Sequence, residues 1–427
     1  MLRRTRFKLS RRLSSTSKTP LRLCKGVRYI LLSNNILLVP VPKTSAAPFS
    51  VASSRWKVGP GQAGKVDAIH CLSFSLVSTP AMVKQIVVDR PLLEIGCTLG
   101  EGPLYDPDTS ILHFVDIDER KGRKIIHLNT ASLTYEIEQF DEKVACLASR
   151  QNGRGLAGAA TQGFALFEGN SMKEYISRPL PAEYQPYTRF NDGACDSKGR
   201  FFAGTIYDKN RGVPGQLWKY DPADGSCTVA DPGPFTVSAR RQPQSILFAT
   251  VNRMGMDWDG ARTRKFCDFP LGQMSALLMA ICSYFTDSRA NLIFAYDYED
   301  GSLTNRRVFV DAMALGLPEN SYCDGLCVDL DGYVWSARWG GSKIIRFSPS
   351  GNIDLEVWFP TVLNVTSCAF GGVDNDQLYV TTAHCRASGE AERQTQYPDS
   401  GHLFVVDLSG KSGDKQYKGG PRHKFAG

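Results

Sequence analysis

The sequence predicts an all-β chain closed into a six-bladed β-propeller. Three observations predict it. From residue 84 onward the pattern is short β-branched and aromatic runs, such as Leu112-His-Phe-Val-Asp116, Gln216-Leu-Trp-Lys-Tyr220, Lys343-Ile-Ile-Arg-Phe347 and His402-Leu-Phe-Val-Val406. Turns such as Pro222-Ala-Asp-Gly225, Glu299-Asp-Gly301 and Pro349-Ser-Gly351 end several of them. A phrase also recurs: a polar residue, Gly, an apolar strand, an Asp-containing turn and a second strand. It reads Gly100-Glu-Gly-Pro-Leu-Tyr-Asp-Pro107, Phe190-Asn-Asp-Gly-Ala-Cys-Asp196 and Cys323-Asp-Gly-Leu-Cys-Val-Asp329.

The leading glycines set the period. Gly102 to Gly193 spans 91 residues, or two units, and Gly325 to Gly371 spans 46. That length with four strands per unit is the repeat of a propeller blade. A β-sandwich also has many short strands but no such period. The units are led by Gly102, Gly193, Gly255, Gly325 and Gly371, with a weaker unit at Val144-Ala-Cys-Leu-Ala148. The strand at 84–89 precedes the first blade and is expected to pair with the last, closing the ring. Two intervals exceed the period, Gly193 to Gly255 and Gly255 to Gly325, which places insertions near 239–253 and 261–282. They read as surface loops or as a lid over the tunnel.

The organisation is therefore a basic extension over 1–81 and a propeller over 82–427. The formal charge of +7 belongs to the extension: residues 1–66 carry 14 Lys or Arg and no Asp or Glu. The remaining 361 residues hold 36 basic and 43 acidic groups, so the body is mildly acidic and is not expected to bind nucleic acid. An Arg- and Ser-rich leader poor in acids has the composition of a mitochondrial transit peptide, and a disordered extension is the alternative. The apolar run at 29–41 is too short to span a bilayer, so no membrane is expected. The 12 cysteines form no Cys-x-x-Cys pair and the six histidines no His-Glu-x-x-His, which speaks against zinc-finger and zincin chemistry. A reducing compartment follows: cytoplasmic, or mitochondrial if the extension is a leader. A monomer is expected.

Equivalent residues of a radial repeat meet near the axis. Glu101, the Asn191-Asp192 pair and Asp324 hold the same place in the phrase, and the local turns do not need them, because Asp106, Asp196 and Asp329 serve those turns. Oxygen donors converging from separate blades suit a hard or borderline cation.

Leu99-Gly-Glu-Gly-Pro103, Arg189-Phe-Asn-Asp-Gly193, Tyr284-Phe-Thr-Asp-Ser288, Asp324-Gly325 and Ser367-Cys-Ala-Phe-Gly-Gly372 together resemble the regucalcin/gluconolactonase (senescence marker protein) family over residues 82–427. The resemblance implies a six-bladed propeller with one divalent ion (Ca2+, Zn2+, Mn2+ or Mg2+) in its tunnel, hydrolysing a sugar lactone. By position it implies Glu101 as a metal ligand, Asp324 as both metal ligand and general base, and Arg189 and Asn191 as substrate holders. The family's third ligand, an Asn following a Phe-Thr-Val-Ser-like strand, is displaced here. Phe235-Thr-Val-Ser238 runs into the first insertion, and Asn252 takes the ligand place if the loop folds back. That displacement supports a second expectation, a non-catalytic propeller binding calcium or a partner. A serine hydrolase is disfavoured because Gly-x-Ser-x-Gly is absent.

Overall fold

The computed structural model describes residues 27–32, 35–40, 83–117, 123–169, 172–233, 248–251, 281–410 and 415–427. The chain divides into two units, Met1–Val77 and Ser78–Gly427. In the first, Val27–Leu32 and Asn35–Pro40 form an antiparallel hairpin.

The second unit is a six-bladed β-propeller. Blade one is built from Gly100–Asp106, Ile111–Asp116, Lys124–Asn129 and Tyr135–Gln139, in that order from the axis outward. Blade two follows with Val144–Ser149, Leu156–Ala160, Phe164–Phe167 and Met172–Ser177. Blade three has Phe190–Cys195, Phe201–Thr205, Leu217–Asp221 and Ser226–Asp231. Blade four has Phe248–Val251, Ile281–Asp287, Leu292–Glu299 and Ser302–Asp311. Blade five has Tyr322–Val328, Val334–Trp339, Lys343–Phe347 and Ile353–Trp358, and blade six Asn364–Gly371, Gln377–Ala383 and Phe404–Asp407. The innermost strands touch in the order one to six, and the sixth touches the first, which closes the ring. Among the described residues no helix is long and apolar enough to cross a membrane.

Aromatic residues fill the space between blades. Phe164, Phe190, Phe201 and Tyr220 pack blade two on blade three, and Trp335, Phe370 and Phe404 belong to the cluster joining blades five and six. Aspartates hold the turns at the inner ends. Asp106 Oδ1 accepts from Asp108 N, Asp196 Oδ1 from Lys198 N and Arg200 N, and Asp329 Oδ1 from Asp331 N and Tyr333 N. Asp329 also binds the buried Arg346 guanidinium at 2.6 Å and the Trp335 indole at 2.9 Å.

Two features differ from the sequence expectation. Lys84–Val87 pairs in parallel with Ile353–Trp358 of blade five, not with the last blade. The edge of blade six is already taken, because Leu92 and Leu93 donate to Leu403 O and Leu403 donates back to Leu93 O. The other concerns blade four. Its innermost strand, Phe248–Val251, comes from within the first expected insertion. Gly255, expected to lead this unit, and most of the second insertion lie outside the described residues.

Candidate active site

Each site residue stands at a defect in its strand. In blade one, Glu101 faces Val115 and Leu104 faces His113, so the inner strand holds one residue more than its partner between them. The same extra residue occurs between Phe190 and Gly193, between Cys323 and Leu326, between Val365 and Ser367, and between Val144 and Cys146. A β-bulge breaks the alternation of faces and re-aims a side chain. Here it falls at Gly102-Pro103 directly after Glu101, at Asn191-Asp192 and at Asp324-Gly325, and in blade six at Thr366. All sit near the start of their inner strands, so they share one mouth of the tunnel. The paired part of Phe248–Val251 runs without such a shift.

The glycine of the phrase has a steric reason. A Cβ on Gly325 would lie 2.3 Å from Ser367 Oγ, and one on Gly193 would lie 2.2 Å from Phe202 O. Gly102 has φ +54°, a left-handed conformation.

The structure places the expected carboxylates within electrostatic reach of one another. Glu101, Asp192 and Asp324 are all buried. Burial raises the Glu101 carboxyl well above its ordinary range, and the neighbouring charges of Asp324 and Asp192 raise it further, while Arg189 acts the other way. Burial pushes Asp192 up to about 7, against the pull of the Gly193 N–H and of Arg422. Asp192 Oδ1 accepts from Gly193 N at 2.7 Å, and its Oδ2 is buried with no hydrogen-bond partner among the described residues. Arg189 Nη1 donates to Asn191 Oδ1 at 2.7 Å and to Phe190 O at 2.8 Å, so the two expected substrate residues are coupled. Thr286, from the Tyr284–Ser288 motif, donates to Asp324 O at 3.2 Å and ties blade four to the site.

Asn252 lies outside the described residues. Among the described residues no three His, Cys, Asp or Glu side chains come together closely enough to hold a metal ion. The expected donor set is two carboxylates and an amide, and its amide is the residue not described.

Sequence reasoning gave Asp192 a place in the phrase but no role, and it missed the C-terminal segment. Residues 417–427 cross the inner ends of the blades. Asp329 bridges Gly419, Cys195 bridges His423 and Arg150 bridges Phe425, and Phe425 packs into the cluster of blades two and three. Arg422 Nη1 donates to Pro103 O at 2.7 Å, directly behind the Glu101 bulge. This segment carries no copy of the phrase, so periodicity gives it no signal.

The SMP-30/Gluconolactonase/LRE-like region matches residues 99–238 and 282–384. The chain belongs to this family. Relatives of the SMP-30/gluconolactonase family include regucalcin of Danio rerio, 30% identical over 324 residues that cover 75% of this chain and 94% of the relative. Pentonolactonase XacC of Haloferax volcanii is 29% identical and covers 74% and 94%. Among solved structures, a calcium-binding regucalcin from Agrobacterium tumefaciens superposes with a TM-score of 0.62 at 22% identity, covering 81% of this chain and 99% of that one. A luciferin-regenerating enzyme gives 0.57 at 22% identity, covering 80% and 98%. Both structures share the propeller fold. The family match omits residues 239–281, the stretch that holds the strand Phe248–Val251 and Asn252.

Proposed function

We propose that the protein hydrolyses a sugar lactone, with a divalent cation held by Glu101 and Asp324 and with Asp324 as the general base. One observation carries the reading: two buried carboxylates from opposite parts of the sequence stand at equivalent bulges of the inner strands of blades one and five, at one mouth of the tunnel. Like charges out of water disfavour one another, and a cation between them relieves both penalties. Their oxygens suit Ca2+, Mg2+, Mn2+ or Zn2+, and one fold relative is a calcium-binding protein. Asn252 is the candidate third ligand. When bound, such an ion polarises the lactone carbonyl and acidifies water.

The chain's own residues supply the rest. Arg189 and Asn191, already joined, orient the sugar hydroxyls at the mouth. The Asp324 carboxylate takes a proton from the attacking water as the new C–O bond forms. It returns that proton to the ring oxygen as the ester C–O bond breaks, releasing the open hydroxy acid. The family likeness to a pentonolactonase supports this substrate class.

A second reading, a binding propeller without catalysis, is favoured by blade four, whose inner strand lies in a stretch that the family match omits. The test is acid release from gluconolactone by the chain from Met82, followed with a colorimetric pH indicator and accompanied by metal analysis. The expected outcome is release that stops with chelator and in Asp324→Ala, whose circular dichroism stays β-rich. Release that survives either treatment overturns the mechanism. Bound metal without release establishes the second reading.

A further inference from the structure

The strand that carries Asp324 is pinned by side chains that take no part in the chemistry proposed above. Asn291 sits in the turn of blade four that follows Ile281–Asp287. Its Oδ1 accepts from Cys323 N at 2.8 Å and its Nδ2 donates to Ser321 O at 2.8 Å. One amide thus spans the backbone directly in front of Asp324. It does so at φ +59°, a left-handed conformation that Asn adopts more readily than most residues. Arg338 faces Cys323 from the neighbouring strand of blade five and is fully buried. Its Nε donates to Ser321 Oγ at 3.0 Å, its Nη2 to Ser321 O at 2.5 Å, and its Nη1 to Asn291 Oδ1 at 3.2 Å and to Cys323 Sγ.

We propose that Arg338 and Asn291 are positioning residues for the Asp324 carboxylate, an inference that rests on Asp324 being the ligand and general base. A bulge interrupts the ladder, so its residues lack the pairing that fixes the rest of the strand. The aim of Asp324 is therefore set by the backbone beside it. The Asn291 amide and the Arg338 fork hold that backbone in front, and Thr286 holds the Asp324 carbonyl itself. The burial of Arg338 points the same way. A guanidinium out of water is costly unless its donors are satisfied. Among the described residues its hydrogen bonds all go to Ser321, Cys323 or Asn291, none of them an acid. Blade one uses the same place. Asp116 faces Gly100, the residue before Glu101, as Arg338 faces Cys323, the residue before Asp324. Asp116 accepts from Thr98 N at 3.3 Å and from Leu99 N at 2.9 Å, so it too fixes the backbone in front of a site carboxylate. The two blades reach one result with opposite charges, so anchoring, not charge, is what the place supplies.

The test uses the full chain, with Mn2+ as the ion and gluconolactone as the substrate. Arg338→Lys keeps the charge and loses the fork. Asn291→Asp keeps the acceptor for Cys323 N and loses the donor to Ser321 O. Both are expected to hold Mn2+ about tenfold more weakly or worse in calorimetry, and to lose kcat by about tenfold or more with KM within about twofold. Thr286→Val keeps its shape, loses only the donor to Asp324 O, and is expected to shift both readings in the same direction by about fivefold. It decides the matter if either other variant does not fold. A merely structural role lowers Tm but leaves kcat and Mn2+ affinity of the folded protein unchanged, and that outcome overturns the proposal. Asp324→Asn is measured beside them. If it loses Mn2+ and turnover while the three variants keep both, the positioning role alone falls. If it keeps both, Asp324 is neither ligand nor base, which refutes the lactonase mechanism and the positioning of its base together. In a protein that binds Mn2+ without hydrolysis, the affinities alone give the answer.

Discussion

Glu101 sits where two opposed effects can be measured on one side chain. Its carboxylate is buried beside Asp324 and Asp192, and the position of its strand bulge aims it at the shared mouth. Glu101→Gln keeps the shape and removes one charge. In chelated protein the substitution relieves like-charge repulsion, and Tm is expected to rise by about 2–4 °C. With cation present the same change removes a charged ligand, and calorimetry with Mn2+ is expected to show affinity weaker by about tenfold or more. An unchanged Mn2+ affinity removes Glu101 from the ligand set. At this scale the sequence was informative: Glu101, Asn191 and Asp324 stand out because the phrase repeats around them while local turns do not need them, whereas Arg189 was indicated only by its position in the family motif. Arg422 did not stand out, because its partner, the Pro103 carbonyl, is 319 residues away and no motif surrounds it.

The inner strand is the element that turns a repeat into a site. Five of the six inner strands carry an extra residue at equivalent places, and in blade five the glycine beside it, Gly325, lets blade six approach. Gly325→Ala tests this. The new methyl meets Ser367 at 2.3–2.5 Å, and overpacking of that kind costs about 1–3 kcal/mol. Urea unfolding is expected to show that loss. A variant as stable as wild type would mean that blades five and six slide apart freely. The register of the bulges is not readable from sequence, since one extra residue leaves composition untouched, but the glycine that permits them is. Blade four shows the limit: Phe248-Ala-Thr-Val251 has no polar residue followed by Gly, so nothing in it announced an innermost strand.

The whole molecule's acid stability is set in part by a histidine pair on blade one. His113 Nδ1 and His127 Nδ1 lie 2.6 Å apart across the second and third strands. Burial, and then the proximity of His127, lower His113 from 6.5 to about 4. The unfolded chain therefore binds the proton more readily than the folded one between those values. Stability is full above pH 6.5 and is lost as pH falls toward 4, by roughly 3 kcal/mol in total. In His113→Phe this part of the slope is expected to vanish from Tm measured against pH; an unaltered slope would assign acid sensitivity elsewhere. The ring itself was legible from period and strand grammar, yet its clasp was not. Lys84–Val87 had a partner expected nearby in the circle, and it found a different blade because the intended edge was occupied.

That clasp also sets a timetable. Gln85 reaches Glu356, to which its amide donates at 3.1 Å, across 271 residues of chain. At a synthesis speed of about 5–20 residues per second, the first strand waits on the order of 15–55 seconds for its mate to emerge from the ribosome. Throughout that interval its backbone donors and acceptors remain a bare edge, open to any passing strand, so a nascent chain of this shape has reason to depend on chaperones until its final third is made.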